Sequence, residues 1–343
     1  MITLTVCPCT LSDGFSTYRP SALRKMFNGK KVNHTLDIDP PELNEAVAEQ
    51  FRQNRKMLSI SGAQIKLSLL VEKNKLRLTK EGERGEYILK PIPHRATFRK
   101  EGQLPANEHL TMQIAGQVYG MNTAENALVF FKNGEPAYVT KRFDVNADGT
   151  KIAQEDFASL SGLSNETGGD TFRNLGSYES LAVVMKKYVV AYAVEAEKLF
   201  ERVIFNYLFS NGDAHLKNFS LQQISTGDYL LSPAYDLIDT AIHIAGDSFM
   251  ALKDGMFEND YSTESFEALG FYAYDDFYEF GLRIGLIEKR LIRLLDKYRT
   301  ESKKVSELTS RSFLNNKVKK IYLAHYADRL KMLNNSYRKI LSQ

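Results

Sequence analysis

The sequence predicts an α+β protein with two lobes, a β-rich lobe over residues 1–143 and a mostly α-helical lobe over residues 144–343. Three observations predict this division. The 343 residues are enough for two domains at roughly 100 to 200 residues each. Short runs of alternating apolar residues come before a loop at 144–150 that is rich in Asp, Asn and Gly, whereas helical spacing dominates after it. The composition, 43% hydrophobic and 25% charged, is typical of a globular protein.

The first lobe is predicted to begin with three short antiparallel strands. Apolar residues alternate over 65–71, 76–78 and 87–89, which places them on one face of each strand. Pro91 and Pro93 follow the third run. Because proline cannot donate to a sheet ladder, the third strand is expected to end there.

A helix and two more strands complete this lobe. Apolar spacing predicts the helix from Asn107 to Val118, and the runs at 127–131 and 137–140 predict strands on either side of a turn. In the second lobe, apolar residues three and four apart over 199–208 predict a buried helix. The second lobe is therefore expected to be mostly helical.

Basic charge is concentrated at the end of the chain. The whole chain has a formal net charge of +3, whereas residues 288–343 contain 15 Lys or Arg and 5 Asp or Glu. Such a segment could bind an anionic partner such as nucleic acid. Helical spacing of Leu291, Leu294, Leu295 and Tyr298 favours a simpler explanation, in which the basic side chains cover the solvent faces of amphipathic helices.

Several classes of protein lack their usual evidence in this sequence. Cys7 and Cys9 are the only cysteines, so a disulfide framework is not expected and a reducing compartment fits better. There is no apolar run of the roughly 18 residues that a membrane helix needs, and we expect a soluble, cytoplasmic protein without membrane contact. His-Glu-x-x-His, Gly-x-Ser-x-Gly, Gly-x-Gly-x-x-Gly and Walker motifs are absent, which argues against zinc hydrolases, serine hydrolases, Rossmann oxidoreductases and P-loop NTPases.

One segment of the second lobe carries a distinctive set of polar residues. Asp213 and Asn218 are five positions apart, the spacing at which protein kinases place a catalytic base and a magnesium-binding Asn. Asp236 follows where a second, metal-holding carboxylate is expected. Taken alone, this pair is better explained as a helix C-terminus followed by a turn.

Upstream residues strengthen the kinase interpretation. A small-residue loop at 59–64 precedes the first strand, and such loops let backbone N–H groups approach a polyphosphate. Lys90 ends the third strand and Glu108 lies near the start of the predicted helix, which matches the lysine and glutamate that kinases pair. Separately, Lys90 could be a solvated strand end and Glu108 a first-turn acid stabilised by the helix dipole. The order of all five parts favours phosphoryl transfer.

The sequence resembles the HipA family of bacterial serine/threonine kinase toxins, and most closely its short form, HipT. The resemblance covers about Ser59 to Thr240. The residues that carry it are Ser61-Gly62-Ala63-Gln64-x-Lys66, Ile88-Leu89-Lys90-Pro91, Asn107-Glu108, Arg142-Phe143-Asp144, Gln154-Glu155-Asp156, Asn211-x-Asp213-x-His215-x-x-Asn218-Phe219 and Pro233-x-Tyr235-Asp236. The resemblance implies a protein-kinase-like fold, ATP and magnesium as cofactors, and an aminoacyl-tRNA synthetase or similar translation protein as substrate.

The resemblance also implies roles for individual residues. Asp213 becomes the catalytic base, and Asn218 and Asp236 the magnesium ligands. The nucleotide-binding residues are Ser61, Gly62, Ala63, Gln64 and Lys66 in the loop, Lys90 with Glu108 at the phosphates, Thr140, Lys141, Arg142 and Phe143 in the hinge beside adenine, and His215 with Asn218 in the catalytic loop. His215 either orients the catalytic loop or is a core histidine, and the first role is slightly favoured. Gln154, Glu155 and Asp156 recur in the family without an evident chemical role.

Regulation and partners follow from the same resemblance. Only 58 residues precede Ser59, fewer than in long HipA proteins, which predicts a three-component system with a HipB-like DNA-binding antitoxin and a small HipS-like protein, and with DNA contacted through the antitoxin. Family members phosphorylate a serine of the nucleotide loop, so Ser59 or Ser61 is a candidate for self-inactivation, because a phosphate there would repel ATP. Alternatively, both serines simply bond their own backbone in a turn.

Two other functions stay open at the level of sequence. A degenerate kinase fold could bind an antitoxin–DNA complex through the basic tail without catalysis, although the presence of Lys90, Asp213, Asn218 and Asp236 together argues against degeneracy. A small-molecule kinase on the same fold is the other alternative, because the shape of the cleft sets the choice of substrate hydroxyl.

Overall fold

The computed structural model describes residues 3–41, 64–93, 98–146, 149–246 and 248–337. The chain forms two compact units. The first unit comprises Met1–Lys151, Ile242–Ala245 and Lys304–Lys320, and the second comprises Ile152–Ala241, Gly246–Lys303 and Ile321–Gln343. The two lobes of the α+β fold expected from the sequence are therefore present.

The first unit is built on a five-stranded antiparallel sheet with strand order β2-β1-β3-β5-β4. Its helices and strands are α1 (Pro20–Phe27), β1 (Leu67–Glu72), β2 (Lys75–Leu78), β3 (Tyr87–Lys90), α2 (Leu104–Gln117), β4 (Asn126–Phe130), β5 (Pro136–Lys141) and α10 (Lys303–Arg311), the last of which begins one residue before this unit's third segment. Helix α2 packs against β4 and β5. The predicted order of strands, helix and strands is confirmed, and β3 ends directly before Pro91 as expected.

One boundary differs from the sequence prediction. Helix α2 begins at Leu104 rather than at Asn107, with Pro105 in its first turn. Proline is tolerated there, because the first N–H groups of a helix have no intrahelical acceptor. Glu108 is consequently beyond the first turn, so the interpretation of Glu108 as a first-turn acid at the helix dipole is wrong.

The core of the first unit lies between the sheet and the N-terminal segment. The Tyr87 hydroxyl donates a 3.0 Å hydrogen bond to the Met26 carbonyl, and the Tyr18 hydroxyl donates a 2.8 Å bond to the Leu128 carbonyl. These bonds satisfy two buried hydroxyls while their rings fill the core. The segment Lys304–Lys320 belongs to this unit, and its Phe313 ring packs 5.8 Å from Phe130.

The second unit is mostly helical, with one small sheet. Its elements are β6 (Gln154–Asp156), α3 (Phe157–Leu160), α4 (Asn165–Gly168), α5 (Tyr178–Tyr188), α6 (Tyr192–Leu208), β7 (Ser220–Gln223), β8 (Tyr229–Leu231), α7 (Glu264–Leu269), α8 (Tyr274–Arg283), α9 (Glu288–Arg299) and the greater part of α11 (Asn316–Asn334). Strands β6, β7 and β8 form an antiparallel sheet in that order. The sequence patterns did not predict this sheet.

The basic tail adopts the helical form that the apolar spacing favoured. In α9, Leu291, Leu295 and Tyr298 are fully buried, while Arg293 and Lys297 are on the exposed side. Among the residues that the structure describes, no helix is both long and apolar enough to cross a membrane.

Candidate active site

A buried ion pair joins the end of β3 to helix α2. Lys90 Nζ lies 2.6 Å from Glu108 Oε1, and both residues are 3% exposed. Lys90 is paired with Tyr138 in the sheet and places its ammonium 5.3 Å from the centre of that ring. A buried charge is tolerated only when it is paired, so the pair fixes the lysine head group at one position relative to the sheet.

Part of the predicted nucleotide loop lies outside the described residues, namely Ser59, Ser61, Gly62 and Ala63. Gln64 is buried, and its Nε2 donates a 3.3 Å hydrogen bond to the carbonyl of Pro91, the residue after Lys90. Lys66 is exposed just before β1. The end of the loop is thus attached to the end of the strand that carries the lysine.

The predicted hinge residues lie at the end of β5. Thr140 Oγ1 donates to the carbonyl of Glu125, and Lys141 Nζ donates to Asn28 Oδ1 at 2.6 Å. Burial lowers the pKa of Lys141. Arg142 forms a two-point contact with Asp144 at 2.9 and 2.5 Å, and Phe143 between them is half-buried. The side chains of Thr140, Lys141 and Arg142 are thus engaged within the first unit, and the amides of Lys141 and Arg142 donate to the carbonyls of Glu125 and Glu86.

In the second unit, the segment after α6 folds back on Asp213. The Asp213 carbonyl accepts hydrogen bonds from the His215 amide and from Asn218 Nδ2, each 2.8 Å long. The Asp213 amide donates a 3.2 Å bond to Asn211 Oδ1. Asp213 and Asn218 are each 6% exposed. The two residues that the spacing singled out are therefore held against each other by a direct bond.

Asp236 has the left-handed conformation, with φ 55°. Few residues other than glycine adopt this region, and Asp and Asn are among those that tolerate it. Asn211 Nδ2 donates a 3.3 Å bond to the Asp236 carbonyl, and the Tyr235 hydroxyl donates a 2.9 Å bond to the Lys217 carbonyl. Burial raises the pKa of Tyr235, which keeps this hydroxyl a donor. The segment that carries Asp236 is thereby attached to the segment that carries Asp213.

His215 lies beside the predicted base. Its ring is 1% exposed, and Nε2 is 3.7 Å from Asp213 Oδ1, a distance too long for a hydrogen bond. The backbone of His215 contributes more directly, because its carbonyl accepts a 2.9 Å bond from the Asn218 amide. His215 thus helps to shape the turn from Asp213 to Asn218.

The structure provides a local role for the Gln154-Glu155-Asp156 segment. It forms β6, which pairs with β7, the strand that begins two residues after Asn218. Gln154 Nε2 donates to Ser220 Oγ at 2.9 Å, and Asp156 caps α3 by accepting a bond from the Ser159 amide. This short sheet supports the Asp213–Asn218 segment from its C-terminal side.

Sequence reasoning did not assign roles to three polar residues that connect these segments, which are Asn206, Asn211 and Thr240. Asn211 Nδ2 also donates to Asn206 Oδ1 at 2.8 Å, so the end of α6 is part of the same network. Asn206 occupies a helical position and gives no periodic signal. Asn211 was named only as part of the motif that resembles the HipA family, without a role of its own.

The donor atoms of the second unit suit a hard cation. Because Asn218 Nδ2 donates to the Asp213 carbonyl, Oδ1 is the atom that Asn218 has for a metal. An amide oxygen and the Asp236 carboxylate are ligands of the kind that magnesium takes, alongside water and phosphate oxygens. Within the described ranges, no three His, Cys, Asp or Glu side chains form a group that could hold a metal. These residues therefore fit a magnesium ion that takes its other ligands from a nucleotide.

Comparison with known proteins gives consistent matches. Residues 58–306 match the family model of the HipA-like C-terminal domain. The chain is 29% identical to a Haemophilus influenzae protein named "Putative kinase", with 95% of both chains covered. It is 30% identical to a second protein of that name, Y4mE of Sinorhizobium fredii, over 79% of this chain and 61% of the relative.

Among solved structures, the chain is similar to HipA of Shewanella oneidensis MR-1, determined with HipB and its operator DNA. The TM-score is 0.58 with 22% identity, and the match covers 85% of this chain and 71% of that chain. At this level of identity, the similarity supports the fold.

Proposed function

Because the chain belongs to the family of the HipA-like C-terminal domain, we propose that it is an ATP-dependent protein kinase that phosphorylates serine or threonine. The observation that carries the proposal is the buried Lys90–Glu108 pair, which joins a strand lysine to a helix glutamate as in protein kinases. The connected Asp213, Asn218 and Asp236 segments of the second unit support it.

In the proposed reaction, Asp213 accepts the proton of the substrate hydroxyl. The hydroxyl oxygen forms a bond to the γ-phosphorus as the bond from that phosphorus to the ADP oxygen breaks. Lys90 contacts the phosphates of ATP while Glu108 holds its ammonium in place. Asn218 Oδ1 and the Asp236 carboxylate would hold magnesium, which neutralises negative charge on the phosphates when it is bound.

An Asp213→Asn variant tests the proposal. Removal of a positioned base lowers the rate of proton transfer by about 10² to 10⁴-fold, so phosphate transfer from ATP should fall by that factor while the fold is retained. Asp228→Asn is the matched control, since Asp228 is exposed in a surface turn. Near-normal transfer by Asp213→Asn would refute the assignment.

The toxin role is a further part of the proposal. HipA of Shewanella oneidensis was solved with HipB and operator DNA, and we propose that this chain likewise binds a HipB-like antitoxin and reaches DNA through it, with a small HipS-like protein as a third component. The proposed substrate is an aminoacyl-tRNA synthetase or a similar translation protein. Phosphoproteomics of cells that express wild type or Asp213→Asn would identify it, and the absence of any phosphosite specific to wild type would contradict the proposal.

Self-inactivation through Ser59 or Ser61 completes the proposed function. A phosphate adds about −1.5 to −2 charges, which would repel the ATP phosphates. After phosphatase treatment, incubation with ATP and magnesium should add phosphate mass to the wild type and none to Asp213→Ala or to Ser59→Ala/Ser61→Ala. Phosphate on the double serine variant would contradict self-inactivation at Ser59 or Ser61 and would still support the kinase proposal.

A further inference from the structure

Arg173 is a buried arginine that forms no hydrogen bond or ion pair through its guanidinium with the residues that the structure describes. It lies in the 3₁₀ turn Gly169–Asn174 and is only 6% exposed. Its Nε is fully buried and makes no hydrogen bond, and no ion pair joins its guanidinium to a carboxylate in the part of the chain that the structure describes. A buried arginine is normally paired, so this arrangement calls for an explanation.

Arg202 is a second buried arginine of the same unit, and the protein satisfies it in part. It is 4% exposed, and its NH2 group donates a 2.6 Å hydrogen bond to the Ser232 carbonyl. Its guanidinium also lies 5.8 Å from the centre of the Phe219 ring. Both arginines are almost fully buried, and Nε and NH1 of Arg202 lack a hydrogen-bond partner just as Nε of Arg173 does. The two differ in that Arg202 keeps one hydrogen bond and one ring contact within the protein.

Arg173 lies beside the catalytic loop. The turn Gly169–Asn174 packs against Leu216–Asn218, and the ammonium of Lys217 sits 5.8 Å from the ring centre of Phe172, the residue before Arg173. Burial lowers the pKa of Arg173, whereas the charge of Asp213 raises it. The charge of the Arg173 guanidinium thus interacts with that of Asp213, although the two side chains form no ion pair.

An unpaired buried cation is costly, and the cost is removed when an anion binds. Arginine presents several N–H donors in a plane that matches the oxygens of a phosphoryl group. The anion that must come next to Asp213 in the proposed reaction is the phosphoryl group in transfer, together with the phosphorylated product.

We propose that Arg173 is a catalytic residue that binds the phosphoryl group as it passes from ATP to the substrate hydroxyl. This inference rests on the proposed function. The bonds that form and break are those of the kinase reaction, the hydroxyl proton goes to Asp213, and Arg173 donates hydrogen bonds without giving up a proton. Its positive charge stabilises the charge on the transferring oxygens.

The test uses the full chain with Arg173→Met, Arg173→Lys and Arg202→Met. Thermal unfolding is measured first, followed by binding of ADP and magnesium with and without aluminium fluoride, which mimics the phosphoryl group in transfer. Phosphate transfer from ATP is then measured across a range of pH.

We expect Arg173→Met to unfold at the same temperature as wild type or higher, because it removes a buried charge without removing a hydrogen bond. Arg202→Met should unfold at a lower temperature, because it also removes the hydrogen bond to the Ser232 carbonyl and the contact with the Phe219 ring. Arg173→Met should bind ADP as the wild type does. Aluminium fluoride raises the affinity of the wild type for ADP, and this gain should be at least about 10-fold smaller in Arg173→Met. The kcat of the variant should fall by about 10²-fold or more. Arg173→Lys should recover part of the affinity gained from aluminium fluoride and part of kcat.

Other outcomes would overturn the inference. The inference would be overturned if aluminium fluoride raised the affinity of Arg173→Met for ADP as much as that of the wild type. It would also be overturned if Arg173→Met lowered the unfolding temperature as much as Arg202→Met does. A loss of rate that recovers at higher pH would mean that Arg173 only keeps the Asp213 carboxylate ionised. A wild type that transfers no phosphate and gains no affinity from aluminium fluoride would overturn the kinase proposal as well, which separates the two failures.

Discussion

The amide of Gly212 donates a 2.8 Å hydrogen bond to the hydroxyl of Thr240, and that hydroxyl donates a 3.0 Å bond to the Ser210 carbonyl. Thr240 therefore connects the residue before Asp213 to the chain that follows Asp236. Thr240 is fully buried, so water cannot replace these bonds. The Thr240 hydroxyl is thus one of the groups, together with Asn211 and Tyr235, that connect the segments of Asp213 and Asp236.

Replacement of Thr240 with valine should lower both the free energy of unfolding and kcat. Valine keeps the shape but leaves the Gly212 amide and the Ser210 carbonyl without the hydroxyl, at a cost of about 1–3 kcal/mol in the free energy of unfolding. Because small displacements of catalytic groups are expensive, kcat should fall by about 10-fold or more. Thr240→Ser keeps the hydroxyl and should retain most of the activity. Equal kcat for the two variants would show that Thr240 does not position the site.

The buried pair of Lys90 and Glu108 predicts a different pattern. Lys90→Met leaves the Glu108 carboxylate buried without its cation, which should cost about 3–5 kcal/mol in the free energy of unfolding. Lys90→Met/Glu108→Gln removes both charges and should recover most of that stability, while phosphate transfer stays low in both variants. Urea unfolding and kinase assays on the same preparations measure the two effects.

The exposed pair of Lys75 and Asp37 supplies the control for this experiment. These side chains are 65% and 67% exposed, and Lys75→Met should change stability little. If the double variant of the buried pair were no more stable than Lys90→Met alone, the unpaired carboxylate of Glu108 would not be the source of the cost.

Local patterns predicted most of the first unit. Alternation of apolar residues located β1, β2 and β3, and Pro91 marked the end of β3, because period-2 burial and the missing N–H of proline are encoded in neighbouring residues. The sheet of β6, β7 and β8 was missed because its strands carry no alternation of apolar residues. Strand β6 is Gln-Glu-Asp, β7 has one apolar residue in Ser-Leu-Gln-Gln, and β8 is the uninterrupted run Tyr-Leu-Leu.

The candidate site likewise contains some features that the sequence predicts and others that it does not. Asp213, Asn218 and Asp236 are predicted as site residues because their order and spacing are chemically meaningful, and hydrogen bonds connect the segments that carry them. The connections through Asn211 and Thr240 were not predicted, because they depend on backbone conformation, including the left-handed Ser210 and Asp236. Arg173 was missed because the absence of a partner is a property of the folded chain.

Two buried histidines predict acid sensitivity of the first unit. Burial lowers the pKa of His109 and of His243 to about 4 in each case. His109 Nε2 lies 3.1 Å from the Cys9 carbonyl, and His243 Nδ1 lies 2.9 Å from the Arg99 carbonyl, so each neutral ring has an acceptor for its N–H. The unfolded chain binds protons near pH 6.5, which the folded chain does not bind until about pH 4.

The free energy of unfolding should therefore fall as the pH drops below 6.5, because the unfolded state then binds more protons. Each histidine should contribute a loss of about 2 kcal/mol between pH 7 and pH 5. His109→Gln and His243→Gln should each reduce the pH dependence, whatever their effect on stability at pH 7. A first unit with equal stability at pH 5 and pH 7 would contradict this prediction.

A third histidine should have the opposite effect in the second unit. His325 Nδ1 on α11 lies 2.9 Å from Oδ2 of the buried Asp239, and Arg329, one turn later, donates a 3.2 Å bond to Ser210 Oγ. The hydrogen bond to Asp239 is the main cause that raises the pKa of His325; burial and the charge of Arg329 oppose it, and Asp328 adds to it. Helix α11 thus holds the chain on both sides of the candidate site, before Asp213 and after Asp236.

Because its pKa is higher in the folded state, His325 should stabilise the second unit in full below about pH 6.5 and lose this contribution as the pH rises through the folded pKa. His325→Gln should therefore reduce stability more at pH 6 than at pH 8.5, the reverse of the two buried histidines. Hydrogen exchange of α11 peptides reports on this unit, and peptides from β3 and α2 report on the first unit as an internal control. Exchange is compared as protection relative to the intrinsic, base-catalysed rate at each pH. Since α11 contacts both segments of the candidate site, lower protection of α11 at pH 8.5 should be accompanied by lower protection at 209–213 and 236–240. Protection of α11 that does not depend on pH would show that the His325–Asp239 contact contributes no proton-linked stability.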